Sequence, residues 1–265
     1  METQFLTQNQ KVDYGYNTAF FRKNIALQIQ MLTDIVNDFN KRYHLSLNQG
    51  LDPDSIPSLD PSMALEYLYS GRINYDLPDG CHENDGLFAV ISPFGFKKLL
   101  RYPKPDVFNP IMYYESLYFL FRIIGENIPF SNYRNGTLSP QYFIQTERSL
   151  EGYSKLSYFQ GEGDRGSDIW LINAQSGFFR RGEPANTQLF SNEYGSSSAF
   201  AGCIQLTHPE LFSDNWNFLG GACVGDKFIF DNSVPTFFSN GSCLMYSSHS
   251  VENPYPKFGN MTFFV

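Results

Sequence analysis

From about residue 135 to the C-terminus the chain is cut into short apolar or alternating runs: "QYFIQT", "KLSYFQ", "DIWLINA", "SAFAGCIQL", "DKFIFDN", "SCLMYSS" and "NMTFFV". Gly, Asn and Ser stand between them. Runs of this length, separated by turn residues, read as strands of an antiparallel sheet, sandwich-like or barrel-like. "FDNSVP" and "FSNGSC" read as hairpin connections, the second with the Asn-Gly pair that suits a two-residue type I′ turn. The final "MTFFV" fits a closing strand.

The preceding residues follow another period. Between Ala19 and Tyr43, apolar side chains fall at Phe21, Ile25, Ile29, Leu32, Ile35 or Val36, Phe39 and Tyr43, three or four apart. Lys23, Gln30, Asp34 and Asp38 take the other side, which predicts an amphipathic helix capped by Asn17 or Thr18. Asp60-Pro61 predicts the start of a short helix that Gly71 stops. Asn109-Pro110 opens a second, "IMYYESLYFLFRIIG", which is apolar nearly all round and is expected to lie centrally and end at Gly125. "GLFAVIS", residues 86–92, fits a strand or a buried turn equally well.

The pattern predicts an α+β fold. A polar N-terminal arm (1–16) precedes a mainly helical part (17–134), which packs on or is followed by an antiparallel β part (135–265). One continuous domain and two abutting ones both fit.

Composition narrows the function. Phe and Tyr number 26 and 17 while charged residues are only 17%, a balance that suits a core and also protein interfaces. The net charge is −8 and no Lys/Arg run exceeds two, so a basic stripe for nucleic-acid phosphate is missing. The helix after Asn109 is too short for a membrane span and carries Glu115 and Arg122. The polar N-terminus lacks the apolar stretch of a signal peptide, which predicts intracellular synthesis with reduced thiols and chance sequons at Asn135, Asn240 and Asn260.

The chemistry-bearing residues form no recognised constellation. "GEGDRG" (161–166) matches G-x-G-x-x-G, but a strand follows it where a dinucleotide site needs a helix, and its acids would repel pyrophosphate. Glu162, Asp164 and Asp168 as calcium ligands is the weaker variant of that idea. Cys203, His208, Cys223, Cys243 and His249 lack structural-zinc spacing. Trp170 and Trp216 suit a sugar platform or a core alike. No cofactor and no metal is expected.

A thiol nucleophile needs a base and an orienting acid. Cys81, Cys203 and Cys223 are the thiols, His82, His208 and His249 the imidazoles, and Asp85, Asp214 and Asp226 the acids available. Cys81 and His82 are neighbours in the polar connector "GCHENDG" (80–86), where successive side chains of an extended chain point apart. The leading expectation is a structural subunit without catalytic activity, in homo- or hetero-oligomeric contact with other protein subunits in a larger assembly such as a virus or phage particle. The alternative is a cysteine-dependent hydrolase or transferase using Cys203 with His249, or Cys81 with His82.

Overall fold

A computed structural model describes residues 24–48, 50–73, 77, 79, 81, 85–102, 109–162, 165–177, 179–212, 220–240 and 242–265. The N-terminal arm, the proposed caps Asn17 and Thr18, His82, Asp164, Asp214, Trp216 and the Gly of the Asn-Gly pair lie outside the described residues.

The described helices are α1 (Ile25–Leu47), α2 (Ser62–Tyr69), α3 (Pro93–Leu99), α4 (Pro110–Asn127), α5 (Glu147–Gln160) and α6 (Ser198–Thr207). The strands are β1 (Gly86–Ile91), β2 (Phe130–Asn132), β3 (Phe143–Gln145), β4 (Gly161–Glu162), β5 (Arg165–Gly166) and β6 (Ile169–Gln175). They continue with β7 (Glu193–Gly195), β8 (Gly220–Cys223), β9 (Asp226–Phe228), β10 (Ser233–Ser239), β11 (Leu244–Ser250) and β12 (Phe258–Phe264). The fold is α+β, with helices leading and strands concentrated in the second half.

Ten strands form one sheet along the path β1-β6-β12-β8-β10-β11-β2; β7 also joins β12, and β9 links β10 to β3. Pairing is antiparallel except for β12 with β8 and β11 with β2. The C-terminal strand is therefore central: β12 pairs with β6 and β7 on one side and β8 on the other, rather than closing an edge. β1, at the end of the path, is covered by a side chain that mimics a strand. Gln28 of α1 donates to the Leu87 carbonyl and accepts from the Ala89 N–H, at 3.4 and 3.3 Å. Gln160 does the same for both backbone groups of Leu171, each at 2.7 Å, just past the end of β12. Each amide satisfies groups that would otherwise be buried unpaired.

One apolar core includes Ile29 and Leu32 of α1, Leu117 and Leu120 of α4, Trp170 of β6, Phe200 of α6 and Phe263 of β12. Trp170 is fully buried against Phe94, Tyr153 and Phe200, so it is no sugar platform. Asn260 is buried and donates to the Pro184 carbonyl, which rules it out as a glycosylation acceptor in the folded chain.

Several local expectations are corrected. "KLSYFQ" and "SAFAGCIQL" are the end of α5 and nearly all of α6, not strands. The first helix is capped by Asn24, which accepts from the Leu27 N–H, and runs past Tyr43 to Leu47. α4 begins at the Asn109 cap as expected but continues through Gly125, which stands exposed in its last turn. The β10–β11 loop joins Ser239 to Leu244 through residues 240–243, longer than a two-residue turn. Asn240 organises it by accepting from the Ser242 and Cys243 N–H groups. Residues 86–91 are a strand, Gly71 ends α2 at φ +71°, and the "FDNSVP" hairpin turns through Asn232 at φ +48°.

Candidate functional site

Among the described residues, the thiols and imidazoles are distributed through the fold rather than gathered. Cys203 lies buried in α6, its sulfur accepting from the Ile91 N–H at 3.4 Å. Burial pushes its thiol up to about 12. Cys223 is buried in β8 with its thiol likewise raised by burial. Cys81 is half-buried; burial and then the charges of Asp85 and Glu193 push it up to about 11, against the pull of Arg180. His249 bonds the Asn253 carbonyl at 2.7 Å and packs edge-on against Tyr255 and Phe258. His208 is buried, bonded to the Thr207 hydroxyl and edge-on to Phe88. These three environments favour the protonated thiol, the opposite of what an attacking thiolate needs.

"GEGDRG" follows α5 and forms the two-stranded β4–β5 ribbon, so no helix N-terminus is available to a phosphate there. Asp168 instead pairs with Lys98 at 2.7 Å and accepts from the Asp60 N–H. Among the described residues, no group of three or more His, Cys, Asp or Glu side chains is placed to hold a metal ion. No described helix is long and apolar enough to cross a membrane.

A face the sequence did not single out stands out instead. In β3 and β9 the alternation sends Phe143 and Phe228 inward, where their rings meet at 4.9 Å. The same alternation sends Tyr142, Ile144, Lys227 and Ile229 outward, and the Ile229 N–H donates to the Tyr142 carbonyl. The exposed fractions are 44% for Tyr142, 41% for Ile144, 50% for Ile229 and 89% for Phe230 at the following turn. Tyr133, just after β2, is also exposed. Together these side chains leave on the order of 500 Å² of mostly apolar surface, the size of the largest patch on a typical monomer. Arg134 holds the base of the face: its guanidinium lies 4.6 Å from the Phe228 ring centroid and pairs with Asp231 at 2.7 Å.

A second aromatic surface lies toward the other end of the sheet. Two adjoining clefts, of about 290 and 320 Å³, share Tyr67, Arg72, Phe159 and Gln160 between α2 and the end of α5. Leu87 and Leu171 floor the first, and the exposed Tyr158 rims the second.

Beneath the β3–β9 face is a buried polar cluster. Asp226, the first residue of β9, is opposite Gln145 of β3. One of its carboxyl oxygens accepts from the Tyr113 hydroxyl and from the Ser198 N–H, both at 2.6 Å. Ser198 opens α6 and shares a 2.9 Å hydrogen bond with the Tyr246 hydroxyl. Ser197, the α6 cap, bonds the Tyr153 hydroxyl. Comparison with known protein families, with curated proteins and with solved structures finds no match to this chain.

Proposed function

We propose that the protein is a non-catalytic structural subunit that associates with a second copy of itself through the outward face of β3 and β9, as part of a larger assembly. The observation that carries the reading is the contiguous exposure of Tyr142, Ile144, Ile229 and Phe230 on one short ribbon. The largest apolar patch on a monomer is often functional, and the charged rim of this one supports a contact surface. Stable association buries about 800 Å² per partner, so the patch together with its rim is of the right size.

Self-association is favoured by the rim, which carries both signs: Arg134 and Lys227 against Asp231 and Glu252. In a two-fold contact each residue meets the other copy's counterpart patch, so mixed charge is self-complementary. The aromatic surface at α2 and α5 supplies a second contact, as an assembly larger than a dimer requires.

Size-exclusion chromatography with light scattering tests the reading. Wild type is expected to give a dimer or larger species whose mass falls on dilution. Phe230→Asp places a charge at the most exposed ring, where folding is indifferent to it, and is expected to give the monomer. A wild type that is monomeric at high concentration, or a Phe230→Asp species as large as wild type, overturns the proposal.

A further inference from the structure

We infer that the protonation state of Asp226 governs the β3–β9 ribbon and so controls, by pH, whether two copies associate. The inference rests on the reading of that face given above. Its geometric basis is a carboxyl group that no cation among the described residues answers. Asp226 is fully buried, and its second carboxyl oxygen takes no hydrogen bond. The groups that face it come from every packed element: Tyr113 of α4, Tyr153 of α5, Ser198 at the start of α6, Tyr246 of β11 and Cys223 of β8. Gln145 opposes it across β3, and its buried side-chain nitrogen takes no hydrogen bond. None of these is positively charged. Burial keeps the three tyrosines and the thiol protonated far above their ordinary ranges.

A carboxylate here is answered by neutral donors, the Tyr113 hydroxyl together with the N–H and hydroxyl of Ser198 at the start of α6. Burial outweighs those hydrogen bonds and raises the acid to about 7, so it ionises in the neutral range. The sign follows from the direction of the shift. The folded chain holds this proton more tightly than the unfolded chain does. The stabilisation is therefore complete below the ordinary carboxylate range and is lost as pH rises through about 7.

The strand carrying the charge is short and lightly paired. β9 meets β10 at a single pair, Ser233 with Phe228, and β3 along three residues. Ionisation favours admitting water to Asp226, and displacement of this ribbon is the shortest route. The outward side chains then lose their fixed spacing and the contact between copies is lost. Acidification assembles; alkaline pH separates.

The test uses the full-length chain at pH 5.5 and pH 8.5, with light scattering for mass and amide hydrogen exchange, corrected for intrinsic rates, for the ribbon. Wild type is expected to be associated with a protected ribbon at pH 5.5. At pH 8.5 its dissociation constant should rise at least tenfold and the β3 and β9 amides should lose protection. Asp226→Asn, neutral throughout, should remain associated and protected at both. Tyr113→Phe removes a donor to the carboxylate and should move the wild-type transition to higher pH, which keeps the test decisive if the Asn variant fails to fold. Equal protection of the wild-type ribbon at both pH values, or an Asn or Phe variant that titrates like wild type, overturns the inference while leaving the dimer intact. If every species is monomeric, the association reading falls, and ribbon protection alone then decides the role of Asp226.

Discussion

Glu193 offers the sharpest measure of how far this fold depends on buried charge. It is fully buried in β7, and Arg180, almost fully buried, grips it with Nε and Nη2 along one guanidinium edge, at 2.7 and 2.5 Å. Thr262 of β12 donates to the same carboxylate at 2.6 Å, and the Phe190 N–H at 3.1 Å. Burial alone would raise Glu193, but Arg180, Thr262 and Phe190 more than offset it and hold the carboxyl below its usual range. Glu193→Ala leaves the guanidinium with the half-exposed Glu183, at 2.8 Å, and the rings of Phe179 and Phe190. Breaking a buried pair in this way costs about 3–5 kcal/mol, which for a chain of this size lowers Tm by roughly 6–20 °C. Arg180→Met should look equally severe at neutral pH, yet the two must part on acidification. The orphaned Glu193 can take up a proton, at a cost of about 4 kcal/mol at pH 7 that shrinks by about 1.4 kcal/mol for each unit the pH falls. An arginine has no such escape. Urea denaturation at pH 7 and pH 5 should therefore show the Arg180→Met deficit falling by at least half while that of Glu193→Ala persists. The double variant Arg180→Met with Glu193→Leu should recover to within about 2 kcal/mol of wild type, because well-packed apolar groups replace buried pairs at little cost. A Glu193→Ala loss below about 1 kcal/mol, or losses that simply add in the double variant, would refute the reasoning.

Gly152→Ala should destabilise by about 2–3 kcal/mol, because a Cβ there would come within 2.6 Å of the Phe263 ring and 2.7 Å of Tyr194; thermal melts check it, and an unchanged Tm would mean that α5 shifts freely over the sheet. Gln160→Leu leaves both backbone groups of Leu171 unpaired and should cost about 2–4 kcal/mol, with faster hydrogen exchange at Leu171. Retained protection at that amide would show that water takes the place of the side chain. Native protein treated with iodoacetamide should leave Cys203 and Cys223 unmodified and label Cys81 only slowly at neutral pH, because its thiol is raised to about 11. Rapid, selective modification of Cys81 or Cys203 would restore the cysteine-dependent hydrolase or transferase as the leading reading.

What the residues disclosed and what they hid have the same physical origin. α1 was legible because one side packs and the other meets water, so Ile29, Leu32, Val36 and Phe39 repeat against exposed Gln30, Asp34 and Asp38. β11 was legible because turn residues flank it, whereas β10 does not stand out as a run of its own and begins at Ser233, inside the expected connection "FDNSVP". α6 was not: every residue from Ser198 to Thr207 is buried, so no polar side marks the helical period, and small residues such as Ala201 and Gly202 resemble a strand interior. α5 did carry a signal in the Thr146 cap, which accepts from the Ser149 N–H ahead of the run that resembled a strand. The outward face of β3 and β9 was hidden for the converse reason. "YFI" and "FIF" are apolar in both phases of the strand period, so they resemble fully buried strands, and only their place on a two-stranded ribbon exposes one phase. Asp226 was visible as the acid that opens the run "DKFIFDN" and as one of several acids available to orient an imidazole, but nothing in its local sequence marks it as buried. The wholly buried α6 lies against it, and the Ser198 N–H donates to its carboxyl. The same enclosure that erases the helical period from the sequence removes water from the carboxyl, so the least legible helix is also the one that gives Asp226 its chemistry.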